Sequence, residues 1–194
     1  MSVPSGEDAL IAQYFRPLAG AAGLGLLDDA ACITPPPGQD LVVTADAIVA
    51  GVHFFPDDPP DSIGWKALAV NLSDLAAKGA NPLGFVLTLA LPEGWRGGER
   101  LAGFVAGLGS CALQGGCPLV GGDTVATPGP FTVAITAFGS VPAGTMVPRT
   151  GARAGDVILV TGTIGDAALG LAARRAPAAP WRALLDVARL AHLD

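Results

Sequence analysis

The stretch from Ser62 to Leu91 constrains the fold of this chain more than any other. From Ser62 to Lys78, Trp65, Leu68, Leu72, Leu75 and Ala76 recur at helical spacing and form one apolar stripe. Asn71, Asp74 and Lys78 fall on the other side of that helix. Ser62 can cap its start, and Gly79 followed by Pro82 supplies its stop. The next run, Leu83–Leu91, is almost wholly apolar, as expected of a strand buried on both faces. A one-sided helix must lay its stripe on another layer, and an apolar strand directly after it offers one, so helix-on-sheet packing is expected.

The remaining punctuation extends that pattern. Residues 7–18 carry Leu10, Ile11, Tyr14, Phe15 and Leu18 at helical spacing, with Pro17 near the close. Short strands are expected at Ala30–Thr34 and Leu41–Thr44, the second ending at Asp46. Gly98 to Gln114 reads as a helix softened by glycines, and Leu119-Val120 as a short strand ending in Gly121-Gly122-Asp123. Phe131–Val141 and Val157–Thr161 read as strands, the latter followed by Gly162-Thr163-Ile164-Gly165-Asp166 and a helix to Arg175. One more helix is expected at 181–191. The fold class is therefore α/β (α+β), a mixed sheet packed with helices. With 194 residues, the chain fits one domain or one and a fraction, since domains run ~100–200 residues.

Charge excludes several roles. The net charge is −6 with only 11 Lys and Arg, which argues against a nucleic-acid surface, because that needs clustered cations. Two uncharged stretches, Leu101–Gly122 and Thr124–Pro148, raise the membrane question, but glycines and prolines interrupt both, whereas a spanning helix needs ~20 apolar residues. Glu7 and Asp8 precede the first cation, Arg16, unlike a secretory signal. Cys32, Cys111 and Cys117 are odd in number and match no metal spacing, so reduced thiols in a cytoplasmic protein are expected.

Five acids stand apart from the rest. Asp28 and Asp29 precede an apolar segment, Asp46 ends a strand, Asp74 sits in the 62–78 helix, and Asp123 follows a strand and two glycines. Unpaired carboxylates beside buried segments are costly, and few cations lie nearby in sequence. A hard divalent cation such as Mg²⁺ accepts such oxygen ligands and keeps some water. Taken singly, each acid also suits turn chemistry or a solvated face, and spacing alone does not bring the five together. The usual G-x-x-x-x-G-K-[ST] loop is absent, as are protein-kinase signatures. Gly162–Gly165 could present amides to an anion or simply connect strand to helix. His53, in Gly-Val-His-Phe-Phe, could be a site residue or polar loop surface.

The segments holding those acids carry a resemblance. LIAQYF (10–15), DDAA (28–31), VVTADAIVAGVHF (42–54), WKALAVNLSDLAAKGANPLGF (65–85), PLVGGDT (118–124) and PRTGARAGDVILVTGTIGDAALGL (148–171) resemble, in order, the thiamine-monophosphate kinases, a branch of the aminoimidazole ribonucleotide synthetase superfamily. The resemblance implies an N-terminal α/β domain over 1–147 whose sheet packs on its twin in a homodimer, and the beginning of a C-terminal domain over 148–194. It implies ATP as co-substrate, several Mg²⁺ ions and thiamine monophosphate as phosphoryl acceptor. The implied metal ligands are Asp29, Thr44, Asp46, Asp74 and Asp123, with Ala45 joining through its backbone. Gly122, Asp123 and Arg149 would contact ATP, and His53 would contact thiamine monophosphate. Other superfamily branches (purine-pathway cyclisation, selenophosphate synthesis, hydrogenase maturation) also use ATP on this scaffold, and a chain that only folds and dimerises is a further alternative. Two positions depart from the family's wording: Leu27 stands where Gly is usual before the acidic pair, and Val125 where a second Thr is common. Family members continue past residue 194 with further ligands, so weak or no turnover is expected of this chain alone.

Overall fold

The computed structural model describes residues 6–160, 162 and 164–184. The chain divides into two compact units, Met1–Arg149 and Thr150–Asp194. Unit one runs α1 (Gly6–Leu10), β1 (Gln39–Val49), α2 (Pro60–Ala77), β2 (Asn81–Leu91), α3 (Gly98–Gly115), β3 (Leu119–Ala126) and β4 (Thr132–Pro142). The strands form one mixed sheet in the order β1-β4-β2-β3. β1 and β2 each pair antiparallel with β4, and β3 pairs parallel with β2.

α2 lies on the sheet, and α3 packs on α2. Phe85, Leu87, Leu89 and Leu91 of β2 and Val133, Ile135 and Ala137 of β4 point into this core beside Leu68, Leu75, Leu101, Phe104 and Leu108. The two helices cross with their backbones almost touching. A Cβ added at Gly64 would sit 2.0 Å from the Phe104 carbonyl oxygen, and one at Gly107 would sit 1.8 Å from that of Asp61. α2 ends at Gly79 (φ +71), whose N–H donates to the Ala76 carbonyl while the Ala80 N–H reaches back to Leu75. This pairing satisfies two carbonyls of the last turn.

Several elements differ from the sequence expectations. α2 starts at Pro60 without a side-chain cap, and the Ser62 hydroxyl instead donates to the Pro59 carbonyl at 2.8 Å. Asn71 is buried, whereas Trp65 and Ala76 are exposed. The reason is that α2 is covered by α3 as well as by the sheet, so a single stripe does not describe it. β2 is buried on one face only, since Thr88 on the other face is exposed. Residues 30–34 form no strand, and residues 7–18 make α1, a π-helical turn (Ile11–Phe15) and a 3-10 turn (Arg16–Leu18) rather than one helix. β1 and β3 are longer than expected, and Gly121-Gly122-Asp123 lies inside β3 rather than after it.

In unit two, α4 (Asp166–Arg175) and a 3-10 turn (Pro180–Leu184) are formed. The expected strand at Val157–Thr161 is absent over 157–160, where Val157, Ile158 and Leu159 are exposed. A strand needs a hydrogen-bonding neighbour, and no described residue pairs with this one. Thr161, Thr163 and most of the expected 181–191 helix lie outside the described residues.

Candidate functional site

Unit one gathers its acids at two edges of the sheet. At the β3 edge, a cavity of about 240 Å³ is lined by Glu7, Ile11, Asp28, Asp29, Gly122, Asp123 and Thr124, among others. The acidic pair reaches this cavity through an unusual backbone. Leu24 (φ +50), Gly25 (φ +69) and Leu26 (φ +56) all lie in the left-handed region, which costs a non-glycine residue on the order of 1 kcal/mol. Two contacts hold them there. Gly23 packs so closely on β3 that an added Cβ would meet the Val120 backbone at 2.9 Å, and the Arg16 guanidinium donates to the Gly25 carbonyl at 3.1 Å. Leu27, the departure noted above, has φ −112, which any residue adopts.

Gly122 is required by packing in its own right, because a Cβ there would lie 1.9 Å from the Leu87 carbonyl oxygen on β2. Asp123 accepts the Thr124 N–H on Oδ1 at 2.9 Å.

At the β1 edge, the Thr44 hydroxyl donates to the Asp74 carboxylate of α2 at 3.0 Å. Asp46 is two residues along and shares Thr44's face of the strand, while Ala45 faces the other way. Only the backbone of Ala45 can therefore join its neighbours' side. The two edges are in register: Asp46 pairs with Ile135, Ile135 with Leu87, and Leu87 with Gly122. Three strand spacings of ~4.8 Å separate the ends of that rung by roughly 14 Å.

The five acids thus form two groups rather than one cluster. Among the described residues, no three His, Cys, Asp or Glu side chains come together as a metal-holding group. Sequence spacing carried no signal for the Arg16 clamp or for Glu7 in the cavity wall, since both depend on how the N-terminal segment docks on β3.

His53 lies on an exposed turn after β1. Its Nδ1 accepts the Val49 N–H at 3.1 Å, and its own N–H donates to the Val49 carbonyl at 2.9 Å. Arg149 is exposed at the last position of unit one. Cys111 and Cys117 are buried and Cys32 is exposed, all three as free thiols. Burial raises the Cys111 thiol and pushes Cys117 up to about 12, so neither buried sulfur is a thiolate nucleophile at neutral pH. No helix among the described residues is long and apolar enough to cross a membrane.

Residues 27–141 match the family model of the AIR synthase related protein N-terminal domain. The chain belongs to this family. Within it, the chain is 44% identical over 187 residues to the thiamine-monophosphate kinase of Caulobacter vibrioides, an alignment covering 95% of this chain and 51% of that protein. The crystal structure of thiamine-monophosphate kinase from Stenotrophomonas maltophilia K279a is similar at a TM-score of 0.77 and 40% identity, covering 96% of this chain and 57% of that one. AaThiL complexed with AMPPCP and TMP is similar at a TM-score of 0.66 and 29% identity, covering 82% of this chain and 53% of that one. The chain spans about half the length of the curated relatives it matches.

Proposed function

We propose that this chain is the N-terminal, nucleotide- and metal-binding portion of a thiamine-monophosphate kinase, with residues 1–147 as that domain and 148–194 as the beginning of the next. The reaction is ATP-dependent phosphorylation of thiamine monophosphate to thiamine diphosphate. The observation that carries the reading is the sheet rung that runs from Asp46, beside Thr44–Asp74, to Gly122, next to Asp123 and the cavity lined by Asp28 and Asp29. Similarity to AaThiL, which is complexed with AMPPCP and TMP, supports the choice of ligands.

The donor set fits Mg²⁺. Asp29, Thr44, Asp46, Asp74 and Asp123 offer hard oxygens only, and all but the half-buried Thr44 are exposed, which suits an ion that keeps several waters. Mg²⁺–oxygen bonds are ~2.1 Å, so across a separation of roughly 14 Å between the edge strands one ion could not be shared by the whole set, and more than one would be needed. When bound, Mg²⁺ supplies the positive charge that lets two anions meet. The residues of the chain do the holding. Asp29 and Asp123 flank the cavity, Thr44 and Asp74 fix each other, and the Ala45 carbonyl adds a backbone ligand. Gly122, Asp123 and Arg149 bind ATP, Arg149 through its charge, and His53 meets thiamine monophosphate.

A terminal phosphate oxygen of thiamine monophosphate forms the new bond to the γ-phosphorus, and the bond from that phosphorus to the β,γ-bridging oxygen breaks, releasing ADP. The attacking oxygen is already ionised at neutral pH, so no protein nucleophile or strong base is needed. The open face of the sheet, where Leu41 and Val43 are exposed, packs on a second copy in a homodimer. Free thiols accord with a cytoplasmic setting.

The test is a titration of thiamine monophosphate, beside thiamine, onto the chain loaded with Mg²⁺ and a non-hydrolysable ATP analogue. Saturable binding of the monophosphate with weaker binding of thiamine is expected. Equal affinity for both would refute a site built for a phosphorylated acceptor.

A further inference from the structure

The turn carrying His53 is held more firmly than an exposed loop requires. The Val52 and His53 N–H groups both donate to the Val49 carbonyl, at 3.1 and 2.9 Å, and the Gly51 N–H donates to the Phe54 carbonyl at 2.8 Å. Phe54 is buried and meets Phe131 edge-to-face at 6.1 Å. On the far side, the Arg100 guanidinium donates to the Pro56 carbonyl at 3.1 Å while lying 4.5 Å over the Trp95 ring. Two further bonds concern His53. The Lys66 ammonium, from α2, donates to the His53 carbonyl, and the Val49 N–H donates to Nδ1 at 3.1 Å.

A ring nitrogen that accepts a hydrogen bond carries a lone pair, so the proton of the neutral imidazole sits on Nε2. The other tautomer would set an Nδ1–H against the Val49 N–H. That selection works only while the backbone at His53 keeps the ring within reach of Val49, and the peptide carbonyl on that backbone is what Lys66 grips.

We propose that Lys66 is a positioning residue for His53, and that Lys66 together with the Val49 amide locks His53 as the Nε2–H tautomer, so that the turn presents a hydrogen-bond donor to its ligand. The proposal rests on the reading of His53 as a substrate-binding residue. It deepens that reading by requiring that the substrate atom facing His53 be an acceptor. Lys66 touches no substrate in this scheme and acts through the turn.

The test is nitrogen-15 NMR of the histidine rings at pH 8 in the 194-residue chain, with a His192→Gln background leaving His53 as the one ring observed. The starting protein is expected to show a single tautomer with its proton on Nε2. Lys66→Met is expected to lose the single-tautomer pattern and show an average of both forms, and Lys66→Arg, which keeps a charged donor, to regain it. An Nδ1–H ring in the starting protein would overturn the proposal before any Lys66 variant is made, so a poorly folding variant does not shelter it. An unchanged pattern in folded Lys66→Met would overturn the role of Lys66. The readout needs neither nucleotide nor acceptor, so its failure is distinct from a failure of the kinase reading.

Discussion

Thr44 and Asp74 belong to different layers of the fold, yet the Thr44 hydroxyl donates to the Asp74 carboxylate at 3.0 Å. Both groups lie on the surface rather than deep in the core, where an isolated pair adds little to stability. Asp74→Asn and Thr44→Ala are therefore expected to leave thermal stability nearly unchanged. On the proposed function, Asp74→Asn weakens Mg²⁺-dependent binding of an ATP analogue by about tenfold or more, or ~1.4 kcal/mol. A large fall in melting temperature with unchanged nucleotide affinity would reverse that assignment.

Gly122 gives the opposite pattern. Because its Cβ would lie 1.9 Å from the Leu87 carbonyl oxygen, Gly122→Ala must push β3 away from β2. A loss of about 1–3 kcal/mol is expected, as for other overpacked sites, measurable by chemical denaturation. Ala at Gly144, which has open space for a Cβ but φ +75, should cost only the ~1 kcal/mol of backbone strain.

The acidic turn offers a comparison between neighbouring leucines. Leu26 has φ +56 and Leu27 has φ −112. Leu27→Gly restores the family's usual residue, but it is expected to destabilise by about 0.5–1 kcal/mol through unfolded-state entropy, with no gain in nucleotide affinity. Leu24→Gly, at φ +50 and 54% exposed, relieves strain instead and should be neutral or stabilising.

The buried thiols set a pH dependence. Burial raises Cys117 from an ordinary 9.0 to about 12, so the folded state favours the protonated thiol. Its contribution to stability is full below pH ~9 and falls as pH rises from about 9 towards 12. Cys117→Ala should flatten that limb of the stability profile. At pH 8, a thiol reagent should modify exposed Cys32 well before Cys111 or Cys117.

The open sheet face gives a prediction about assembly. Val43→Lys, at a position 53% exposed in the single chain, should leave the fold intact and shift sedimentation from dimer to monomer. A wild-type chain that sediments as a monomer at all concentrations would contradict the homodimer.

The parts of the fold set by local pattern were legible in the sequence. The α2–β2 unit could be read because Gly79 and Pro82 punctuate it and its apolar runs are long. The burial of Asn71 is not legible, because periodicity reports one buried stripe, whereas α2 is covered by the sheet and also by α3, which comes close at Gly64 and Gly107. The acids were found individually by their setting, and the resemblance named the residues of the site. That they divide between two edges of one sheet depends on the β1-β4-β2-β3 order, which no local pattern encodes. The roles of Arg16 and Lys66 are illegible for a related reason, since each acts on a backbone carbonyl of a separate turn.

On the proposed function, these acids form a metal-dependent site for nucleotide phosphates. Isothermal titration of the chain with a non-hydrolysable ATP analogue, with and without Mg²⁺, beside Asp74→Asn, tests it most directly. Binding is expected to require Mg²⁺ and to be lost or weakened about tenfold in the variant. Binding that is indifferent to Mg²⁺, or equal in Asp74→Asn, would contradict it.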